Sequence, residues 1–203
     1  MYYTNNSGDG MSELVDSFVT NVTTWLVSFG PIAGVILILL ESVLPMLPLS
    51  VFITLNMVSY GKFLGFIISW LATVAGCMSS FFLFRYFFQK KLYRFINKKD
   101  SEQLKKIMKA ISTINFSNLV VLIALPFTPA FLVNIAGGVS KIKVKKFFLA
   151  ILIGKIIMVY FWGYIGTSLL ESLTDIMVLI KVVALLLGAF IVSKIIEKKL
   201  KVR

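Results

Sequence analysis

Histidine is absent from this 203-residue sequence, and cysteine occurs once, at Cys77. These gaps exclude disulfides, Cys/His zinc sites and any histidine-dependent triad. Cys77 lies in an apolar run, where its simplest role is a small packed residue. Charge is scarce, at 15 % of residues, against roughly 25 % in a soluble domain. Arginine is nearly missing, since 18 of the 21 basic residues are lysine. No lysine or arginine precedes Lys62. The basic n-region of a cleavable signal peptide is therefore lacking, and none is expected. Proline is limited to five positions, and four of them form two Pro-x-x-Pro pairs.

What remains is apolar. Hydrophobic residues make up 58 % of the chain, and the mean hydropathy is +0.91. The fold class is an all-α integral membrane protein, with a polar tail over residues 1–12 and a single membrane domain over 13–203. A net charge of +12 raises nucleic acid as a partner. However, the basic residues cluster beside apolar runs, as cytoplasmic membrane flanks do, and no nucleic-acid partner is expected.

The run from Ala110 to Ser140 holds 31 uncharged residues. As one straight helix it would be roughly 46 Å long, well beyond a hydrocarbon core of about 30 Å. Pro126 and Pro129 interrupt it, and lysines flank both ends. A single crossing would put a lysine cluster on each side, against the positive-inside rule. The spacing instead predicts a re-entrant hairpin over about 111–140, broken at the two prolines. Gly137 and Gly138 are the expected turn back out. Irregular backbone at that depth must be buried in protein or line a wet cavity.

An earlier run predicts a first hairpin over about 31–61, broken at Pro45 and Pro48 and carrying Glu41. Before it, Leu14, Phe18, Val22, Trp25 and Phe29 recur at helical spacing, which predicts an interfacial amphipathic helix. A plain spanning helix is expected over Phe63–Phe84 and a second over Phe147–Leu169, with a third apolar run ending near Ser193. Residues 85–109 carry nine basic and two acidic residues and predict a cytoplasmic interfacial helix. The lysine distribution puts the N-terminus outside and the C-terminus inside. Each Pro-x-x-Pro is followed by Lys-Phe (Lys62-Phe63, Lys146-Phe147) and a spanning helix. The hairpins enter from opposite faces, so the two halves form an inverted repeat, an architecture that places substrate near the midplane.

Few residues can carry chemistry. Glu41 is the only acidic residue inside a membrane run, where charges are costly and functional by default. It reads as a proton relay, or as half of a structural ion pair. Arg85 reads as a fork for lipid phosphate or as a cytoplasmic flank. Lys155 lies roughly 12 Å into its helix, and either snorkels or pairs with Glu41 or a phosphate. Ser50, Thr54, Asn56, Thr128 and Asn134 supply polar lining or satisfy broken backbone. Lys141, Lys143, Lys145 and Lys146 suit anionic headgroups. Gly65 and Gly76 suit close helix packing within one chain or in a homo-oligomer. No metal or cofactor is expected. An enzyme acting on lipid would need a nucleophile or base constellation; none is found, and the chain is read as a non-enzyme.

Three segments carry a family resemblance: Glu41-x-x-x-Pro45-x-x-Pro48, Gly76 through Arg85, and Pro126-x-x-Pro129-x-x-x-x-Asn134-x-Ala136-Gly137. Over about residues 30–170 the chain resembles the DedA superfamily, whose shared unit is the VTT domain, also called SNARE-associated Golgi protein, and it looks closest to the bacterial branch. The resemblance implies two re-entrant hairpins meeting in the bacterial plasma membrane. It also implies movement of phosphate-bearing lipids, such as undecaprenyl phosphate or phospholipid, with proton coupling. The chain departs from the pattern twice. Leu49, Ser50 and Val51 stand where a second acidic residue is expected, and Ile123-Ala124-Leu125 where an arginine often precedes the proline. A flippase or scramblase is the first functional reading. A non-transporting membrane factor, partner to an assembly, is the alternative.

Overall fold

The computed structural model describes residues 7–43, 49–89, 94, 109–171 and 176–199, and no strand occurs among them. Helix α1 spans Ser7–Phe29, so it begins inside the stretch assigned to the polar tail. Leu26 is its fully buried residue, while Leu14, Phe18, Trp25 and Phe29 are exposed. That outward apolar face is the expected surface of a helix at a membrane interface. Gly30, at φ +70°, ends the helix; this left-handed conformation costs glycine little. Pro31 then opens α2, Pro31–Val43, at the helical position that needs no N–H. The chain bends by 110° between the two helices. The Tyr60 hydroxyl holds the bend, 2.7 Å from the Leu26 carbonyl oxygen and 2.8 Å from that of Gly30.

Helix α3 spans Leu49–Tyr60. With 13 and 12 residues, α2 and α3 are each about 18–20 Å long at 1.5 Å per residue, too short to cross a core of about 30 Å. Pro45 and Pro48, the expected break between them, lie outside the described residues. Gly61 turns the chain at φ +82° into α4, Lys62–Leu83, which continues as a π-helical turn over Phe84–Phe88. The interfacial helix expected within 85–109 lies almost wholly outside the described residues.

In the second half, α5 spans Phe116–Ala124 and α6 spans Ala130–Val139. Pro126 forces the break. Leu125 before it is extended, with ψ 123°, because the proline ring disfavours helix at the preceding residue. Helix α7, Val144–Glu171, and helix α8, Ile176–Lys199, complete the chain. Among the described residues, three single helices are long and apolar enough to span a membrane: Lys62–Phe88, Val144–Leu170 and Ile176–Ile196.

The packing follows the repeat. The first limb of each broken pair lies on the spanning helix of its own half, α2 on α4 and α5 on α7. The second limb crosses over, α3 to α7 and α6 to α4, and α4 touches α7. Exchanging the two halves leaves this pattern unchanged. The exception is α3, which also packs along α4. There a Cβ on Gly65 would collide with the Asn56 carbonyl oxygen and the Met57 backbone. The main core lies under the second half, where Phe81 of α4 stacks on Phe147 of α7 at 4.4 Å. The Trp70 indole N–H donates to the Leu152 carbonyl at 2.9 Å and ties the two spanning helices.

One expectation is corrected here. Gly137 and Gly138 do not form the turn. Both lie inside α6, and neither has a positive φ. A Cβ at Gly138 would sit 2.6 Å from the Phe81 carbonyl oxygen, and one at Gly137 would sit 2.5 Å from the Phe147 ring. They are glycines because α6 lies directly on α4 and Phe147. The chain turns after them, from extended Ser140 through Lys143.

Gly65→Ala is expected to destabilise the protein by about 1–3 kcal/mol through overpacking. Gly188→Ala, where nothing lies within 4 Å, should be neutral or slightly stabilising. Thermal unfolding of the two variants in detergent checks the pair.

Candidate functional site

The two halves enclose a cavity of about 400 Å³. Glu41 and Ser42 of α2, Leu49 and Ser50 of α3, and Thr73 and Cys77 of α4 form one side. Pro126, Thr128 and Pro129 of the second break, Asn134 of α6, and Lys155, Met158 and Trp162 of α7 form the other. The cavity is thus built where the first and second broken pairs meet.

Its charge distribution follows from the breaks. Leu49 and Ser50 begin α3, and Ala130 and Phe131 begin α6; all four line the cavity. A helix start leaves unpaired N–H groups and the positive end of the helix dipole. Two helix N-termini therefore open on one space. Lys155 adds a full positive charge although it is only 1 % exposed. Among the described residues its ammonium makes one hydrogen bond, to the Met158 Sδ at 3.0 Å, and a thioether is a weak acceptor. Glu41 lines the same cavity from the other side and is attracted to Lys155. Asn134 is 4 % exposed and makes no side-chain hydrogen bond to another described residue. Such an arrangement, positive and rich in unspent donors, suits an anion.

The hydroxyls are less free. Ser42 donates to the Ile38 carbonyl at 3.0 Å and Thr73 to the Ser69 carbonyl at 2.5 Å, and the Ser42 Oγ sits in the space that Gly76 of α4 leaves. Sequence reading passed over Ser42, Thr73, Met158 and Trp162, and took Cys77 for simple packing. A helical-face count would have found most of them. Thr73 and Cys77 are four apart, and Met158 and Trp162 stand three and seven residues beyond Lys155, on one face of α7.

Several expected site residues lie elsewhere. Thr54 donates to the Ser50 carbonyl at 2.8 Å and fills the space that Gly166 of α7 leaves. Asn56 donates to the Ser69 hydroxyl at 3.1 Å and sits against Gly34. Neither lines the cavity; both join helices. Lys146 donates to the Ile114 carbonyl and so anchors the second half, whereas Lys141, Lys143 and Lys145 are exposed.

Arg85 is the largest correction. The π-helical turn aims it at the C-terminal end of α6. Its Nε donates to the Gly138 carbonyl at 3.2 Å, and its Nη2 is shared among the carbonyls of Gly137, Ser140 and Ile142, at 3.3, 2.7 and 2.9 Å. The guanidinium also stacks over Phe81, 4.5 Å from the ring centre. The fork read as a phosphate ligand is a helix cap. Four convergent carbonyls in an apolar setting demand that many donors. Arg85→Lys is expected to lose about 3 kcal/mol, because an ammonium cannot span the four acceptors and hydrogen bonds to charged groups each contribute about 1.5–3 kcal/mol. A lower unfolding temperature in detergent, with the Arg85→Ala variant lower still, checks this.

Comparison with known proteins agrees with this architecture. The VTT domain model matches residues 47–168, a stretch that takes in α3 and reaches the last turn of α7. The sequence is 34 % identical over 193 residues to the uncharacterized membrane protein YhjE of Bacillus subtilis (strain 168), covering 95 % of this chain and 92 % of that one. No solved structure matches. With matches of this extent, and two broken helix pairs enclosing one cavity, the chain belongs to the VTT domain family of DedA-type membrane proteins.

Proposed function

We propose that this protein translocates phosphate-bearing lipids, such as undecaprenyl phosphate or a phospholipid, across a bacterial plasma membrane. The N-terminus would lie outside and the C-terminus in the cytoplasm. One observation carries the reading: two broken helices begin at a shared cavity that also holds a lysine only 1 % exposed. A buried lysine with a single weak partner is costly unless an anion completes it. Half-helix N-termini aimed at an anion are the device by which transporters hold acidic substrates at the midplane. A volume of about 400 Å³ suits a phosphate headgroup while the acyl or isoprenoid tails stay in the bilayer.

The residues have distinct roles in this cycle. Lys155 and the N–H groups that begin α3 and α6 receive the phosphate. Asn134 and Thr128 orient it. Glu41 balances Lys155 when the cavity is empty. An arriving phosphate competes for Lys155, and a carboxylate thus left unpaired in an apolar site is neutralised by a proton. That exchange couples the protons to the lipid. Lys141, Lys143 and Lys145 gather anionic headgroups at the cytoplasmic leaflet.

Purified protein in vesicles, given fluorescent phospholipid or an undecaprenyl-phosphate probe with and without a pH gradient, is the test. Lys155→Gln should slow lipid movement about 10- to 100-fold, the loss expected for one charge-assisted contact. Glu41→Gln should leave movement that no longer responds to the gradient. Wild-type movement without any gradient would make the protein a scramblase. Full activity of Lys155→Gln would overturn the site, and failure of the wild type to move either lipid would favour the non-transporting factor.

A further inference from the structure

A second recess, of about 250 Å³, lies between α7 and α8. Ile165, Val178 and Leu185 give it apolar walls, and Tyr164, Ser168 and Lys181 bring three polar groups to it. Among the described residues none pairs with Lys181, and neither hydroxyl makes a hydrogen bond. Lys181 is the only basic residue between Lys155 and Lys194. It stands five residues after the start of α8, about 8 Å along the helix, at the end of the molecule opposite Lys141–Lys146.

We propose that this groove is a docking site for one anionic phospholipid of the leaflet on that side. Lys181 takes the phosphate, Ser168 and Tyr164 supply donors, and an acyl chain lies on the apolar walls. Three observations carry it. A lysine beside two hydroxyls above apolar walls matches a lipid phosphate in charge and shape. Helix α8 is loosely held: only 11 % of its most apolar stretch is buried, and its main contact is α7, so a chain can lie along the seam. Helix α8 also reaches the second break, whose Pro126, Thr128 and Pro129 line the cavity. Phe127, in the second break, meets both Trp162 and Phe190 of α8, at 5.7 and 5.6 Å between ring centres. A translocator needs a phosphate site on each leaflet. The exposed lysines at 141–145 serve one side, and Lys181 serves the other. The inference extends the translocator reading but is tested by binding, so it can fail separately.

The full-length chain would be loaded with equimolar phosphatidylglycerol and phosphatidylcholine in detergent, and the lipid retained on it measured by native mass spectrometry. The wild type should keep phosphatidylglycerol in preference. Lys181→Gln should keep about tenfold less of it, as expected for loss of one charge-assisted contact, with phosphatidylcholine unchanged. Lys181→Arg should keep the wild-type preference. No preference in the wild type, equal retention by Lys181→Gln, or equal loss of both lipids in Lys181→Gln and Lys181→Arg would each overturn the proposal.

Discussion

The broken pair α5–α6 depends on one guanidinium. Inside an apolar environment every broken stretch of helix leaves carbonyls that water cannot serve. At the end of α6 four of them, from Gly137, Gly138, Ser140 and Ile142, converge on Arg85. Gln89 adds an amide to Val139 at 3.2 Å. The π-helical turn exists where these donors are needed: it packs on α6 and shifts the phase of α4 by the extra residue such a turn carries. The glycines of α6 complete the fit by letting its backbone reach α4. With α6 fixed at its far end, its N-terminus is held at the cavity. The cavity end of the helix is thus positioned by a cation at the opposite end.

The first half solves the same problem with neutral groups. Tyr60 serves the carbonyls at the bend between α1 and α2. Asn56 ties α3 to Ser69, and Gly34, Gly65 and Gly166 let helices approach it closely. Here α3 packs on both spanning helices, whereas α6 packs on α4 and the π-helical turn. The repeat is therefore alike in its order of parts and unlike in what secures them.

Much of this was legible from residues that break patterns. Pro126 and Pro129 marked the break between α5 and α6, and a lone carboxylate and a lone lysine in apolar runs marked the cavity. Those signals are local: proline acts on its own turn, and a charge in an apolar run stands out by composition. Gly137 was misread, and Arg85, Thr54 and Asn56 were left with two readings each, for the opposite reason. Their roles depend on contacts 10 to 112 residues away in sequence (Gly137 to Phe147, Thr54 to Gly166). A polar residue near a membrane midplane looks the same whether it meets a substrate or a neighbouring backbone. Lys146 was misread likewise: it sits in a lysine cluster, yet its ammonium serves the Ile114 carbonyl.

Placing Glu41 and Lys155 in one cavity has an electrical consequence. With both ionised, the empty cavity carries no net side-chain charge, so a conformational change that moves it is indifferent to membrane voltage. In the proposed cycle a bound phosphate makes the cavity negative, and voltage then acts at about 2.3 kcal/mol per charge per 100 mV. An inside-negative potential would drive the loaded form outward. Each proton taken up by Glu41 cancels one unit of that bias. The two side chains would therefore set how far lipid movement follows voltage and how far it follows proton supply.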